Sequence, residues 1–341
     1  MPQPVQSPER CQQHQLVSAR KGFSMQQHNK IFVGIDIAKN KFDVNFSHLP
    51  KGTVYEYSQK EIKEFIQILQ QLKPQLICME ATGGLERKLV DHLQQHDFDV
   101  AVVNPRQIRD FAKAHNKLAK TDQIDAQIIA KFAEMIKPRI TPVLSKAQRK
   151  LSDLTARRRQ LTKLITQEKN RLASTFDAEI CELIRQAILF LKEQLLKIEQ
   201  RQNELIGQND QAQKKATIIK SVPGLGDASA AMLIAELPEL GKLNRKEIAR
   251  LVGVAPTNRD SGKMRGKRTI GGGRVEIRNA LYMPIVVAKQ FNPKIKAFYE
   301  RLIEKGKPKM VALMAAMRKL LTILNVMIRE EKKWNENEII A

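Results

Sequence analysis

Four carboxylates in three separated segments have the residue types and spacing of a metal site. Asp36 interrupts the apolar run Ile31-Phe32-Val33-Gly34-Ile35-Asp36-Ile37. Glu80 closes a second run, Leu76-Ile77-Cys78-Met79-Glu80, and Asp122 and Asp125 stand three residues apart where a helix begins. A carboxylate within or at the end of a buried strand is costly unless something compensates it. Several of them converging on one point repel each other, and a divalent cation relieves that repulsion. Each also has a plainer reading. Asp36 and Glu80 can be strand residues satisfied by backbone N–H groups, and Asp122 and Asp125 a helix cap and a first-turn acid. The i, i+3 spacing of the two aspartates nevertheless puts both on one helix face, as a shared cation requires.

The charge balance names the class of substrate. The 341 residues hold 59 Lys and Arg against 36 Asp and Glu, a net charge of +23. Nucleic acid is the partner such an excess implies, with an anionic membrane surface as the alternative. No apolar run approaches the ~18 residues a membrane span requires, so no membrane is expected. The first residues, rich in Gln, Ser and Pro, contain no apolar core of a secretory signal, and Met25 offers a second start. Cys11, Cys78 and Cys181 are odd in number and far apart, which argues against a disulfide framework and for a reducing cytoplasm. His92 and His96, spaced for a metal, sit among Gln94, Gln95 and Asp97 and read as a solvated helix face.

Residues 31–137 alternate between strand and helix patterns. Strands are expected at 31–37, 42–46, 76–80 and 98–103, the last stopped by Asn104-Pro105, and helices at 61–72, 85–95 and 122–135. That order implies a three-layer α/β domain with a mixed sheet. From 144 the apolar residues follow 3-4 spacing through 172 and again from 188 to 205, after a break near 174–178. Two long helices result, as an antiparallel hairpin or an intermolecular coiled coil. Residues 138–175 hold ten Lys or Arg against two acids, and Arg157-Arg158-Arg159 cross the core face as well as the solvated one. Backbone phosphate contact and a solvated face are both open for them.

The final third reads as helical with two informative loops. Ser221-Val222-Pro223-Gly224-Leu225-Gly226 leads into an Ala-rich helix, like a helix-hairpin-helix turn whose N–H groups can hold a phosphate, or as a plain connector. The second loop runs from Gly253 to Gly273 and is dense in glycine and cations: Arg259, Lys263, Arg265, Lys267 and Arg268, with Arg274 just beyond. Asp260 is its one acid. The last long helix, 310–327, has an apolar face and is expected in the core.

Asp on the first strand, Glu at a later strand end and Asp-x-x-Asp on a helix together resemble the RuvC-like branch of the RNase H fold. The motifs G-I-D-I-A-K, E-A-T-G-G, V-N-P-R and K-T-D-x-x-D-A then look like those of the DEDD insertion-sequence transposases, the bridge-RNA-guided recombinases and their pilin-gene invertase relatives. S-V-P-G-L-G, G-V-A-P, Asp260-Ser261-Gly262, Arg265-Gly266 and Arg278-Asn279-Ala280-Leu281-Tyr282-Met283-Pro284 resemble that family's second domain. Two unrelated motif sets thus occur in the right order, from about residue 31 to 327.

The resemblance implies a lead-in at 1–28, a RuvC-like catalytic domain at 29–140, a helical coiled-coil linker at 141–210, a mainly α serine transposase domain at 211–330 and a tail at 331–341. It implies Mg²⁺, with Mn²⁺ able to substitute, on Asp36, Glu80, Asp122 and Asp125, and Ser261 as nucleophile toward a DNA phosphate. Asp-Ser-Gly is otherwise a common turn. A serine hydroxyl is a weak nucleophile, and the metal or the loop cations would have to lower the cost of charge at the reacting oxygens. The implied partners are target and donor double-stranded DNA, a structured noncoding guide RNA, and further copies of the chain as a dimer or dimer of dimers, acting in the bacterial cytoplasm. Two other classes remain: a metal-dependent junction or RNA nuclease with no covalent intermediate, and a nucleic-acid scaffold without catalysis.

Overall fold

The computed structural model describes residues 30–49, 52–116, 122–258, 260–261, 264–266 and 268–335, with backbone alone at 122–124 and 265. The expected lead-in at 1–28 and the end of the tail lie outside the described residues. The chain divides into two compact units, Met1–Val143 and Leu144–Ala341.

The first unit is built on a five-stranded sheet in the order β3-β2-β1-β4-β5. The strands are β1 (Phe32–Ile37), β2 (Lys41–Phe46), β3 (Thr53–Glu56), β4 (Leu76–Glu80) and β5 (Val100–Val103). β1 runs antiparallel to β2, and β2 to β3, whereas β1–β4 and β4–β5 are parallel. The helices are α1 (Gln59–Leu72), α2 (Glu86–Gln95), α3 (Pro105–Ala114) and α4 (Asp122–Ile136).

Strand alternation divides the sheet residues between two cores. Val33, Ile35, Phe42, Val44, Ile77 and Met79 pack with Phe65 and Leu69 of α1 and Leu89 and Leu93 of α2. Phe32, Leu76, Cys78, Ala101 and Val103 pack on the other face with Ile108 of α3 and Ile128, Ile129 and Phe132 of α4. The result is the expected mixed α/β layering. Two elements differ from the sequence reading. β3 is a short strand with only Tyr55 buried. Asn104-Pro105 ends β5 but also opens α3: the Asn104 side chain accepts from the Arg106 N–H, and Pro105 occupies the first turn, where its missing N–H costs nothing.

The second unit is helical. α5 (Lys146–Ser174) and α6 (Ala178–Gly207) form a long hairpin, followed by α7 (Asp210–Lys220), α8 (Asp227–Glu236) and α9 (Arg245–Val252). A two-stranded ribbon, β6 (Asp260–Ser261) with β7 (Met264–Arg265), precedes α10 (Val275–Ala280), α11 (Tyr282–Phe291), α12 (Pro293–Glu304) and α13 (Lys309–Glu330). Near its base the hairpin is tied by Gln202 Nε2 donating to Thr155 Oγ1 at 2.8 Å, both buried. Farther out α6 exposes Ile180, Leu183, Leu189, Phe190 and Leu196. Phe176, in the connection, is 98% exposed.

α13 corrects one expectation. Lys309–Arg329 is long and apolar enough to cross a membrane, with mean hydropathy 1.7, although no such run was foreseen. Most of its apolar side chains are in the core: Leu313, Met317, Leu320, Leu324 and Met327 are buried with α7, α8 and α9, whereas Met310 and Val311 are exposed.

Where α4 crosses β1 the two main chains approach closely. A Cβ on Gly34 would run into the Ala126 carbonyl and the Ala130 backbone. Neither partner can give way, because both are main chain. Gly34→Ala is therefore expected to destabilise the protein by about 3 kcal/mol, read as a lower urea midpoint. An unchanged midpoint would mean that α4 does not rest directly on β1.

Candidate active site

Alternation along β1 gives Asp36 the same face as Phe32 and Gly34, the face covered by α4. The β1–β4 register sets Ile35 opposite Met79, so Asp36 and Glu80 fall side by side at the ends of adjacent parallel strands. Glu80 is paired with Val103, which belongs to the α4-side core. Asp125 lies in the first turn of α4, one residue before Ala126, whose carbonyl abuts Gly34. Asp36 is two residues beyond Gly34 on that same face. Asp36, Glu80 and Asp125 are all half-buried. Asp122 is the first residue of α4, and its side chain lies outside the described residues.

The backbone framework therefore suits a shared cation: two adjacent strand ends and a helix start, drawn together by a missing Cβ. Among the described residues the side chains themselves form no group of three acids, histidines or cysteines close enough to hold a metal. Asp36, Glu80 and Asp125 each have a partner within the protein.

Three neighbours of this face were not foreseen as participants. Asp43, 3% exposed, stands directly opposite Asp36 in the antiparallel register, and its carboxylate meets Lys41 Nζ at 3.3 Å. In the sequence it is one acid within a strand pattern, and only the register reveals its proximity. Glu86 holds the turn after Glu80. One of its carboxylate oxygens accepts from Thr82 N–H (3.1 Å), Thr82 Oγ1 (3.0 Å) and Gly84 N–H (2.9 Å). Cys78 lies on the same face, and burial pushes its thiol up to about 12, so it stays protonated. His92 is half-buried, and His96 is exposed with Nδ1 2.8 Å from the His92 carbonyl.

In the second unit Ser261 is exposed on a small hairpin, paired with Met264, while Asp260 pairs with Arg265. A further bridge joins Thr257 to Thr269, with the Thr257 N–H donating to the Thr269 carbonyl at 2.8 Å. The described part of the glycine- and cation-rich loop thus pairs as a short β-ribbon. Arg268 is exposed, whereas Arg259, Lys263, Lys267 and the Arg265 side chain lie outside the described residues.

Two family profiles match successive stretches of the chain. Residues 33–180 match a DEDD transposase profile of the IS110 type, and residues 216–300 match one described as transposase IS116/IS110/IS902 family. The chain belongs to the IS110-type transposases. It is 26% identical over 318 residues to the pilin gene-inverting protein of Moraxella bovis, covering 90% of this chain and 98% of that one. The Moraxella lacunata counterpart is 27% identical over the same length and shares. An insertion element IS110 uncharacterized 43.6 kDa protein from Streptomyces coelicolor is 25% identical over 122 residues, 35% of this chain and 30% of its own. Membership makes this chain a DNA-recombination enzyme of the transposase class, and the DEDD family implies a general dependence on divalent metal.

The arginines of this transposase divide into two sorts. Arg157 and Arg159 are exposed on α5. Arg158 grips one oxygen of Glu199 through Nε (2.8 Å) and Nη2 (2.7 Å), tying α5 to α6. Arg274 makes a bidentate pair with Glu239, both bonds 2.7 Å, and donates to the Glu236 carbonyl. Both guanidiniums hold the fold together, a role their place in basic stretches does not announce. The Ser221–Gly226 turn joins α7 to α8, with Lys220 paired to Asp227 at 2.9 Å across its base.

The Glu86 contacts yield a direct check. Glu86→Gln keeps the volume but loses the charge that three donors address. It is expected to cost about 2 kcal/mol of stability, measured by urea denaturation. A cost below about 0.5 kcal/mol would mean that the turn holds itself.

Proposed function

We propose that the chain is an RNA-guided site-specific recombinase that cuts and rejoins DNA through a phosphoserine intermediate at Ser261. The observation that carries this reading is the pairing of two sites in one family member. One is a set of carboxylates at the strand ends and helix start of the mixed five-stranded sheet, which we read as RNase H-like. The other is an exposed serine on a cationic ribbon in a separate unit. A nuclease working with water alone needs only the first.

Asp36, Glu80 and Asp125, with Asp122, would hold the divalent cation, Mg²⁺ with Mn²⁺ able to substitute. When bound, the cation would neutralise charge developing on the phosphate and activate the attacking oxygen. Ser261 Oγ would lose its proton and bond to phosphorus, and the bond from phosphorus to one deoxyribose oxygen would break, releasing a DNA hydroxyl. Attack of a hydroxyl from another strand on the phosphoserine would reverse the step, freeing Ser261 and joining the new pair. Arg259, Lys263, Arg265, Lys267 and Arg268 give the ribbon the positive charge such an intermediate needs.

The net charge of +23 and the basic stretches 138–175 and 242–278 support a structured noncoding RNA beside target and donor DNA. Exposed Arg157 and Arg159 are the phosphate contacts we assign on α5. The α7–turn–α8 segment reads as a helix-hairpin-helix-like element. The domain division at 29–140, 141–210 and 211–330 remains our reading of the two units. The apolar stripe on α6, from Ile180 to Leu196, supports pairing between copies as a coiled coil, giving a dimer or dimer of dimers. Such a protein would work in the bacterial cytoplasm at its DNA.

Two experiments test this. Asp36→Ala, Glu80→Ala or Asp125→Ala should abolish DNA cleavage in a protein that stays folded, and Ser261→Ala should abolish recombination while keeping RNA and DNA affinity. Cleavage that survives Ser261→Ala would favour the water-using nuclease. Co-purified RNA should be released as salt rises through the physiological range, its log affinity falling linearly with log salt. Equal affinity for random RNA and the element's own transcript would end the guided reading.

A further inference from the structure

The described residues around Ser261 form a ribbon at the surface. Ala255 still packs against the core, but from Pro256 to Ile270 no described residue is buried, and the rungs at Thr257–Thr269 and Ser261–Met264 are the ribbon's own. A two-stranded ribbon with no hydrophobic face is marginal by itself and takes its direction from whatever holds its base.

The base is held closely. Gly253 ends α9 with φ of 76°, the left-handed region that glycine accepts without strain. A Cβ there would meet the Gly272 carbonyl and the Arg278 guanidinium, and one on Gly273 would meet the Gly253 N–H and the Leu251 carbonyl. Entry and exit strands thus touch main chain to main chain. Arg278 Nη1 closes this neck by donating to the carbonyls of Gly272 (2.9 Å), Gly253 (3.2 Å) and Val252 (3.4 Å). Just beyond, the Arg274 N–H donates to the Leu251 carbonyl at 2.8 Å, and its guanidinium is locked on Glu239, whose side chain is 5% exposed.

We propose that Arg278 is a positioning residue: by clamping three carbonyls at the neck of the 253–273 ribbon it fixes where Ser261 stands, with Arg274–Glu239 anchoring the exit strand. This inference rests on Ser261 being the nucleophile. Arg278 itself is turned to carbonyl oxygens within the unit. It acts through the ribbon and touches no phosphate.

The test uses the full chain with its co-purified RNA and a nicked DNA duplex from the element's own junction. Arg278→Gln should keep DNA affinity within about threefold. Amide exchange across 254–270 should quicken about tenfold or more, with α13 unchanged. The single-turnover rate of adduct formation at saturating DNA should fall about 100-fold, the usual consequence of misplacing a reacting group by about 1 Å. Should Arg278→Gln not fold, Arg278→Lys is the variant to read. It keeps the charge and a donor and should give intermediate values in both measurements.

Unchanged exchange in the ribbon would overturn the clamp. Faster exchange with an unchanged adduct rate would overturn the positioning role. Weakened DNA affinity with unchanged exchange would make Arg278 a phosphate contact, also against the proposal. If the wild-type protein forms no adduct at Ser261, the nucleophile reading fails, and the exchange measurement alone then decides whether Arg278 clamps the neck.

Discussion

The first unit depends on the absence of one methyl group. At Gly34 the backbone of α4 lies directly on β1, and any Cβ would force the two apart. Protein interiors have few voids and little compliance, so a helix lifted off its strand moves as a body. Asp36 is two residues from that contact and Asp125 one residue from the Ala126 that makes it. Their separation is therefore set by the contact itself. Glu80 joins them through the parallel register of β1 and β4, and Glu86 keeps the following turn closed. Packing and main-chain pairing thus bring the backbone positions of three acids to one face of the sheet.

The second unit solves a different problem. Its helical core is extensive and apolar, with α13 running through it, yet the residue assigned the covalent chemistry stands outside that core on a ribbon. Exposure suits a group that must reach a phosphate in a long polymer. It also leaves the close approach of Gly253 and Gly273 as the place where the ribbon joins that core. Arginine suits that neck, because one guanidinium can satisfy several carbonyls and keeps its charge at any working pH.

Much of this was legible in the chain. Asp36 stands out because a charge inside Val33-Gly34-Ile35-Asp36-Ile37 breaks an otherwise unbroken strand pattern, and the 3-4 spacing of leucines foretells α5 and α6. The features that escaped depend on long-range pairing or on a residue with two meanings. Arg158 and Arg274 sit in basic stretches, and their partners Glu199 and Glu239 are 41 and 35 residues away. Asp43 becomes a neighbour of Asp36 only once the β1–β2 register is known. Asn104-Pro105 reads as a stop, since proline cannot continue a strand, but it starts α3 just as well. β3 is short and mostly exposed, so it lacks the apolar alternation that would announce it.

On the proposed reading, strands β1 and β4 and helix α4 hold their carboxylates for one shared cation. Titration of Mn²⁺ into the full-length protein, followed by the loss of the free-ion paramagnetic signal, tests this without any DNA or turnover. The account predicts specific binding in the wild-type protein that Asp36→Asn, Glu80→Gln and Asp125→Asn each weaken at least about tenfold, about 1.4 kcal/mol apiece. It also predicts that Gly34→Ala weakens binding although it removes no ligand. Undiminished binding in all three carboxylate variants would contradict a shared site at this face.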